Sequence, residues 1–351
     1  MNTTRHELLM QRWQVVQYEL IPALRQEGWS LTPKLERVVH TLEWARVEEL
    51  CSGRYAGTGR RPHERAWLAN AFLAKSVLGI ADTRALRERL TVDRSLQRIC
   101  GFAVSRELPS ESTFSRAFDE FSRTGLAARA HEALVKQTLG DKLIGHLSRD
   151  ATAIEARERP QPRDKDQRKR PQRSIHRQRG QTLAEMLREI PAACDWGTKK
   201  NARGRATSWR GYKLHLDTAD CGIPISALLS SASLHDSLAA IPLSLMSSAR
   251  VTNLYDVMDA GYCSLELHEH GCQMGHVPLI DHNPRGGEKL KFEPPDAVRY
   301  CERTVAERMN ARLKDEFGGR HVRVKGALKV MSHLMFGILA LAVDQLMRLL
   351  C

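Results

Sequence analysis

The spacing of apolar residues changes near Leu143, and this change limits the possible folds more than any other feature of the chain. Before it, apolar residues recur every three or four positions, which is typical of amphipathic helices. After it, short apolar or alternating runs typical of strands follow one another, with helical stretches between them. The sequence therefore predicts an all-α N-terminal domain over residues 1–140 and an α/β domain over residues 141–351.

The order of elements in the second domain narrows the fold class further. The pattern predicts a long strand, then a hairpin, then helices that alternate with strands, and a final helix. The strands are expected at residues 143–154, 212–219, 223–232, 253–259 and 277–281. By analogy, a hairpin that leads into an alternating α/β unit is the order of the RNase H-like fold, in which the first and fourth strands are neighbours. We therefore expect an α/β fold: an RNase H-like mixed sheet with flanking helices, preceded by the all-α domain.

A basic segment separates the first two of these strands. Residues 155–180 contain ten basic and four acidic residues and almost no apolar ones. Such a composition cannot bury much apolar surface, so the pattern favours a mobile insertion over residues 155–205, with a helix near 182–189. Next to a polyanion, this insertion would help to hold the backbone of the partner.

Charge and apolar content indicate the class of partner. The chain carries 54 Lys and Arg against 41 Asp and Glu, a formal net charge of +13. This excess favours a polyanion, nucleic acid before an anionic membrane. No apolar signal segment follows Met1, and the apolar run over residues 330–343 is shorter than the about 20 residues of a membrane span. The eight cysteines have no paired spacing, which is typical of reduced thiols. We therefore expect a cytoplasmic protein that binds nucleic acid and no membrane.

Four chemically distinctive residues lie close together near the C-terminus: Tyr300, Arg303, Glu307 and Lys314. At about 100° per residue, one continuous helix would place all four on one narrow face. A carboxylate between two cations and a phenol suits a metal ion beside a polyanion. The alternative is a solvent-exposed charged face with ion pairs between residues four apart.

Carboxylates on different elements suggest phosphoryl-transfer chemistry. Two-metal catalysis needs carboxylates that converge from separate elements on two ions about 3.5–4 Å apart. Asp150 lies in the first predicted strand, Asp259 ends the fourth, and Glu307 lies on the last helix expected to pack on the sheet. Each could instead be a turn, capping or solvent-exposed residue. Asp256 and Asp281 compete for the second position, but Asp256 is expected to face the opposite side of the strand and Asp281 lies one strand later.

The spacing of Tyr300, Arg303, Glu307 and Lys314 resembles the signature of the DDE transposases of bacterial insertion sequences, in the broad fourth/fifth-family group. Further stretches resemble the same family: Ser-Arg-Asp-Ala-Thr-Ala-Ile-Glu-Ala around Asp150, residues 211–237, and Met-Asp-Ala-Gly-Tyr around Asp259. Two N-terminal stretches, Leu-Thr-Pro-Lys-Leu-Glu-Arg and Leu-Pro-Ser-Glu-Ser-Thr-Phe-Ser-Arg, resemble its helical domain. The resemblance covers nearly the whole chain.

The resemblance implies roles for particular residues. It implies a catalytic and metal-binding triad of Asp150, Asp259 and Glu307 that takes Mg²⁺, with Mn²⁺ as a substitute. It also implies that the other three signature residues position the DNA end. We add two DNA contacts: Lys213, in the similar stretch after residue 211, and Arg116, in the exposed first turn of a predicted helix. Any capped amphipathic helix would present Arg116 in the same way.

The function implied is that of a DDE transposase, a magnesium-dependent polynucleotidyl transferase and endonuclease. It would bind the inverted-repeat ends of its insertion sequence, cleave there and join the ends to target DNA. Because two ends must be handled together, a homodimer on double-stranded DNA is expected. Two alternatives stay open: an RNase H-like nuclease without strand transfer, and a catalytically inactive DNA-binding relic. The presence of all three acids counts against the relic.

Overall fold

The computed structural model describes six stretches of the chain, which form two compact units. The described residues are 31–51, 64–102, 108–160, 175–200, 204–284 and 288–350. The first unit contains the described residues up to His131, together with Glu316–His321 and the residues from Ser332 onward, and the second contains Glu132–Asp315 and Val322–Met331. The C-terminal residues thus group with the helical unit, whereas the boundary expected at residue 140 assigned them to the second domain.

The first unit is helical, as the sequence predicts. Its helices are α1 (Pro33–Ala45), α2 (Arg65–Val77), α3 (Thr83–Val92), α4 (Arg94–Cys100), α5 (Glu111–Thr124) and α6 (Leu126–Leu139), and a 3₁₀ turn lies at Val47–Leu50. The residues of α6 from Glu132 onward belong to the second unit. The side chains of Thr32, Asp82, Asp93 and Ser110 cap the N-termini of α1, α3, α4 and α5 by accepting a backbone N–H. The core includes a cluster of aromatic rings in which the ring centre of Phe72 lies 4.9–6.2 Å from the ring centres of four other phenylalanines.

The second unit is built on a six-stranded sheet. Its strands are β1 (Leu143–Glu155), β2 (Asp195–Lys200), β3 (Ala206–Ala219), β4 (Pro224–Ser231), β5 (Thr252–Met258) and β6 (Val277–Ile280). β1 pairs antiparallel with β3 and parallel with β5, and β5 pairs parallel with β6. β3 pairs antiparallel with both β2 and β4. The neighbouring first and fourth predicted strands, now β1 and β5, confirm the RNase H-like order.

Two glycines allow the long strand β3 to form these pairings. Gly222 adopts a φ of 83° in the turn between β3 and β4, where a residue with a side chain would be strained. Gly211 adopts a φ of 154°, and a Cβ added there would lie 2.0 Å from the carbonyl oxygen of Ile154. β3 can therefore approach β1 closely at the point where its other partner changes from β2 to β4.

Part of the predicted insertion has regular structure. Residues 161–174 and 201–203 lie outside the described residues, but residues 175–200 form α7 (Ile175–Gln178), α8 (Leu183–Glu189) and β2. A capping box between Thr182 and Glu185 begins α8, as expected for a helix at this place. Met186 of α8 is buried in a cluster with Ile241 and Tyr262, so burial of an isolated apolar residue orders a segment that looks polar. Strand β2 was not predicted.

The remaining described helices alternate with the last strands along the chain or come after them. They are α9 (Ser237–Ser248), α10 (Leu265–Gln273), α11 (Pro294–Cys301), α12 (Thr304–Asp315) and α13 (Ala327–Leu350). By length and composition alone, α13 could cross a membrane, but 83% of its most apolar window is buried inside the protein. Such burial is typical of a core helix, and the apolar run over residues 330–343 lies within it.

Candidate active site

The strand register brings the predicted aspartates together. Arg149 of β1 is the partner of Met258 of β5, so the next residues on these parallel strands, Asp150 and Asp259, lie side by side. Met258 is in turn the partner of Ile280 in β6, which puts Asp281 next in the row. Asp150, in the middle of β1, therefore stands in one row with the aspartates that directly follow β5 and β6.

Asp150 lies in an unfavourable environment for a carboxylate. Its burial raises the pKa of the carboxyl group, and the negative charge of Asp259 raises it further. Asn310 of α12 acts against this rise by donating a hydrogen bond from Nδ2 to Oδ2 of Asp150 at 3.0 Å. The positive charge of Lys199 on β2 also lowers this pKa. A cation next to the two aspartates would stabilise both.

Asp259 occupies the turn that follows β5. Its Oδ1 accepts the backbone N–H of Gly261 at 2.9 Å and thereby caps the 3₁₀ turn Ala260–Tyr262. The turn interpretation of this residue is therefore correct for one carboxylate oxygen. It does not conflict with a metal-binding role, because the capping bond fixes the side chain beside Asp150.

The predicted continuous helix through the four signature residues is wrong. The chain forms two helices, and Arg303 lies in the junction between α11, which contains Tyr300, and α12, which contains Glu307 and Lys314. Four backbone bonds around the junction, donated by residues 302, 303, 305 and 306, join residues three apart rather than four, for example Arg303 N–H to Tyr300 O at 3.0 Å. This tighter winding shifts the angular phase of the following residues, so a single helical face does not describe the group.

Three of the four signature residues nevertheless contact one another across this junction. Nη2 of Arg303 lies 2.8 Å from Oε1 of Glu307, and its guanidinium carbon lies 5.8 Å from the ring centre of Tyr300. Burial raises the pKa of Tyr300, with a partly offsetting effect of Arg303. Burial opposes the charge on Arg303, but the nearby Glu307 and Tyr300 outweigh it and raise the pKa of the guanidinium. The ion-pair alternative for this face is thus present in the structure.

The fourth signature residue contacts strand β1 directly. Nζ of Lys314 donates to Oγ1 of Thr152 at 2.6 Å. Thr152 lies two residues beyond Asp150 and therefore on the same face of β1. Asn310 and Lys314, four residues apart on α12, contact Asp150 and Thr152 respectively, and Glu307 begins the same side of the helix one turn earlier. α12 thus packs along the site face of β1.

Comparison with known protein families identifies the family to which this chain belongs. Residues 142–343 match the family model described as Transposase DDE domain, which is more than half of the chain. The chain belongs to the transposase DDE domain family. Residues 23–120 also match the model described as Transposase domain (DUF772), which overlaps the helical unit. No curated protein and no solved structure matches the chain. The resemblance to insertion-sequence DDE transposases is confirmed.

Within this DDE domain, the carboxylates suit a divalent metal ion in their chemistry. Members of the family act with divalent metals, and the carboxylate oxygens of Asp150, Asp259 and Glu307 are the hard ligands that Mg²⁺ and Mn²⁺ prefer. Across the part of the chain that the structure describes, no three His, Cys, Asp or Glu side chains are grouped closely enough to hold a metal ion. Glu307, whose side chain is 51% exposed, is instead paired with Arg303. Metal binding would therefore require Glu307 to leave Arg303.

The competing aspartates have other partners. Asp256 is buried on β5, where Oδ2 lies 3.0 Å from Nδ1 of His276 and Oδ1 accepts from Asn253 at 3.1 Å. Asp281 lies in the row of strand ends, and its carboxylate is 2.9 Å from Nζ of Lys289. Asp256 is thus enclosed in an internal pair, whereas Asp281 is at the edge of the site.

One predicted DNA contact, Lys213, is not brought to this place, and another, Arg116, belongs to the helical unit. Lys213 of β3 is paired with Ala153, which alternates with Asp150, so its side chain leaves the opposite face of the sheet. There its Nζ donates to the carbonyl of Leu234 and to Oδ1 of Asp236, both at 2.7 Å. Arg116 is an exposed residue of α5 in the helical unit, and its Nε donates to the carbonyl of Ser112 at 3.3 Å.

Two residues near Asp150 were missed by the sequence reasoning. Asn310 lies three residues after Glu307 and four before Lys314, so helical spacing alone could have placed it with them. Lys199 belongs to the unpredicted strand β2, and no local pattern connects it to Asp150. The first omission was avoidable, and the second follows from the missed strand.

Proposed function

We propose that this DDE transposase binds the inverted-repeat ends of its insertion sequence, cleaves the DNA there and joins the ends to target DNA. The observation that supports this most is the position of Asp150 within β1, next to Asp259 just after the parallel strand β5, beneath a helix that carries Glu307. These two carboxylates, completed by Glu307 once it leaves Arg303, would be the acids that phosphoryl transfer by two metal ions requires.

Asp150, Asp259 and Glu307 are the proposed catalytic residues and would hold Mg²⁺, for which Mn²⁺ could substitute. When bound, the metal would lower the pKa of water and stabilise the leaving oxygen at phosphorus. The burial of Asp150 beside Asp259 favours this cation, because an adjacent positive charge removes the electrostatic cost of two neighbouring carboxylates. Both cleavage and joining are in-line attacks at phosphorus, so no side chain has to form a covalent bond to DNA.

The DNA end would lie along the face formed by α11, α12 and the end of β2. Tyr300, Arg303 and Lys314 are proposed to contact its phosphates, with the exposed Lys199 nearby. Release of Glu307 to the metal would free the Arg303 guanidinium for a bidentate phosphate contact. Lys213 is left out of this face because its ammonium group is used within the fold.

The helical unit would add further DNA contacts. Its exposed Arg116 lies on the first turns of α5, a position from which a cation reaches phosphates. Handling two ends at once calls for a homodimer on DNA, and the net charge of +13 favours a DNA partner in the cytoplasm, close to the nucleoid.

The proposal is tested with a plasmid that carries the gene and its native flanking DNA. Wild-type protein and Asp259→Asn are incubated with it in Mg²⁺, in Mn²⁺ or in EDTA. Metal-dependent cuts at the element ends that disappear in Asp259→Asn are expected. Scattered cuts would favour a general nuclease. Binding to the ends without cutting would favour the inactive relic.

A second variant separates catalysis from binding. Glu307→Gln keeps the size of the side chain but removes the charge needed to hold a metal. It should lose cleavage and keep end binding nearly intact in a gel-shift assay. Glu302→Gln, which alters an exposed glutamate on the preceding turn, is the matched control and should cleave normally. Loss of binding together with cleavage in Glu307→Gln alone would make Glu307 structural.

A further inference from the structure

Asn310 is a buried polar residue that touches the proposed catalytic centre. Only 4% of its surface is exposed to solvent, and its Nδ2 donates to Oδ2 of Asp150 at 3.0 Å. The two residues are 160 positions apart in the sequence, so this bond joins α12 to the middle of the sheet. A buried amide in contact with a carboxylate needs an explanation, because polar groups are costly to bury without a purpose.

The orientation of the amide depends on Asp150. Oδ1 of Asn310 is buried and has no hydrogen-bond partner within the described residues. Rotating the amide by half a turn would point this oxygen at the carboxylate of Asp150 and place two acceptors against each other. The bond through Nδ2 therefore holds the side chain in one orientation, although leaving the buried oxygen unpaired is costly. A residue kept at such a cost is a candidate for a functional role.

An amide also differs from a cation in what it does to its partner. A Lys or Arg at this position would fix Asp150 and cancel its charge at the same time, as Arg149 does for Asp217. The amide fixes the carboxylate and leaves its negative charge available. This is the combination needed next to a metal ligand, whose supporting hydrogen bonds set its orientation.

We propose that Asn310 is a positioning residue that holds the Asp150 carboxylate beside Asp259 in readiness for the metal ion. The inference rests on the proposed function, because it gives Asn310 a task only if Asp150 binds metal. Asn310 itself contacts neither DNA nor the reacting phosphate; it acts through Asp150.

The chain contains a matched control for this role. Asn253 is also buried, at 2% exposure, and also donates through Nδ2 to an aspartate, at 3.1 Å from Oδ1 of Asp256. Asn310→Ala and Asn253→Ala therefore remove the same group from the same kind of bond. Only the first bond reaches the proposed site.

The test measures Mn²⁺ binding by the full-length protein directly, by electron paramagnetic resonance of the free ion, without any turnover. Asn310→Ala should weaken Mn²⁺ binding by about 10–100-fold, the usual effect of losing a supporting residue. Asn253→Ala should bind Mn²⁺ like the wild type. In cleavage assays, Asn310→Ala should need correspondingly more Mn²⁺ for half-maximal rate, while end binding in EDTA stays unchanged.

The possible outcomes separate this inference from the function on which it rests. If Asp150→Asn weakens Mn²⁺ binding but Asn310→Ala does not, the positioning role is overturned and the proposed site stands. If Asp150→Asn leaves Mn²⁺ binding unchanged, the proposed metal site itself is overturned. Should Asn310→Ala fail to fold, as judged by circular dichroism, Asn310→Thr removes the amide with little change in side-chain volume and is subject to the same criteria.

Discussion

Asp150 and Asp256 are two half-buried or buried aspartates on adjacent parallel strands, and each accepts a hydrogen bond from a buried asparagine. Asp256 also contacts His276, and although burial works against its charge, its pKa is lowered by His276 and Arg149. Asp150 forms no ion pair with any cationic side chain in the described part of the chain, and burial raises its pKa. The lack of a directly paired basic group, rather than burial alone, therefore distinguishes a carboxylate available to a metal from one that stabilises the fold.

The largest expected difference between the two aspartates is in the cleavage rate when each is neutralised in turn. Asp150→Asn should lower cleavage of the native ends by more than the about 100-fold that is typical of a supporting residue, because it alters a ligand itself. Asp256→Asn should leave the cleavage rate per folded molecule within a few fold of the wild type. Rates are measured on plasmid substrate and divided by the folded fraction. Equal losses in the two variants would remove the distinction.

The next largest effect concerns the stability of the fold and the face of β1 opposite Asp150. Arg149 precedes Asp150, points to the opposite face and forms a buried bidentate pair with Asp217 at 2.7 and 2.8 Å. Asp217→Asn would leave the guanidinium buried without its counter-charge. The free energy of unfolding should fall by about 3–5 kcal/mol, measured by urea denaturation. Asp220→Asn, at an exposed residue of the following turn, should change it far less.

The two aspartates should also give stability opposite dependences on pH. The lowered pKa of Asp256 means that its stabilising contribution is present above the unfolded value of about 3.9 and is lost as pH falls through the folded value. The raised pKa of Asp150 has the reverse sign: metal-free protein loses stability as pH rises from about 3.9 through the folded value.

Metal-free Asp150→Asn should therefore be more stable than the wild type at neutral pH, and Asp256→Asn less stable. Thermal unfolding in EDTA at pH 3 to 8 measures both differences. A stabilising effect of Asp256→Asn at neutral pH would contradict the assignment of this residue to the fold.

The smallest expected effect concerns DNA contacts on the two faces of the sheet. Lys314→Ala should weaken binding of the element ends and reduce the slope of log K against log salt by about 0.9, the value for one phosphate contact. Lys213→Ala, on the other face, is the matched control and should leave the slope unchanged because its ammonium group binds Asp236. The reverse result would return Lys213 to the DNA interface and remove Lys314.

The sequence was sufficient for five of the six strands and for placing Asp150 next to Asp259. Both depend on local patterns and on one fold analogy. Once that fold is assumed, the parallel register of β1 and β5 places the two aspartates next to each other. The helix break at Arg303 was not predictable, since no Gly or Pro marks it and the change lies only in the backbone bonding. Helical spacing could have placed Asn310 with Glu307 and Lys314, but no local pattern encodes its bond to Asp150, which is 160 positions away.

The connection between β1 and β3 begins after the pair Glu155–Gly211, and the eight other residue pairs between these strands, including that of Asp150, lie before it. Lengthening or shortening such a connection changes the closure entropy only slowly. The basic segment, and with it the backbone contacts to DNA expected of it, can therefore change without moving Asp150. Related transposases could in this way differ in how they hold the DNA backbone while they keep the same arrangement of acids.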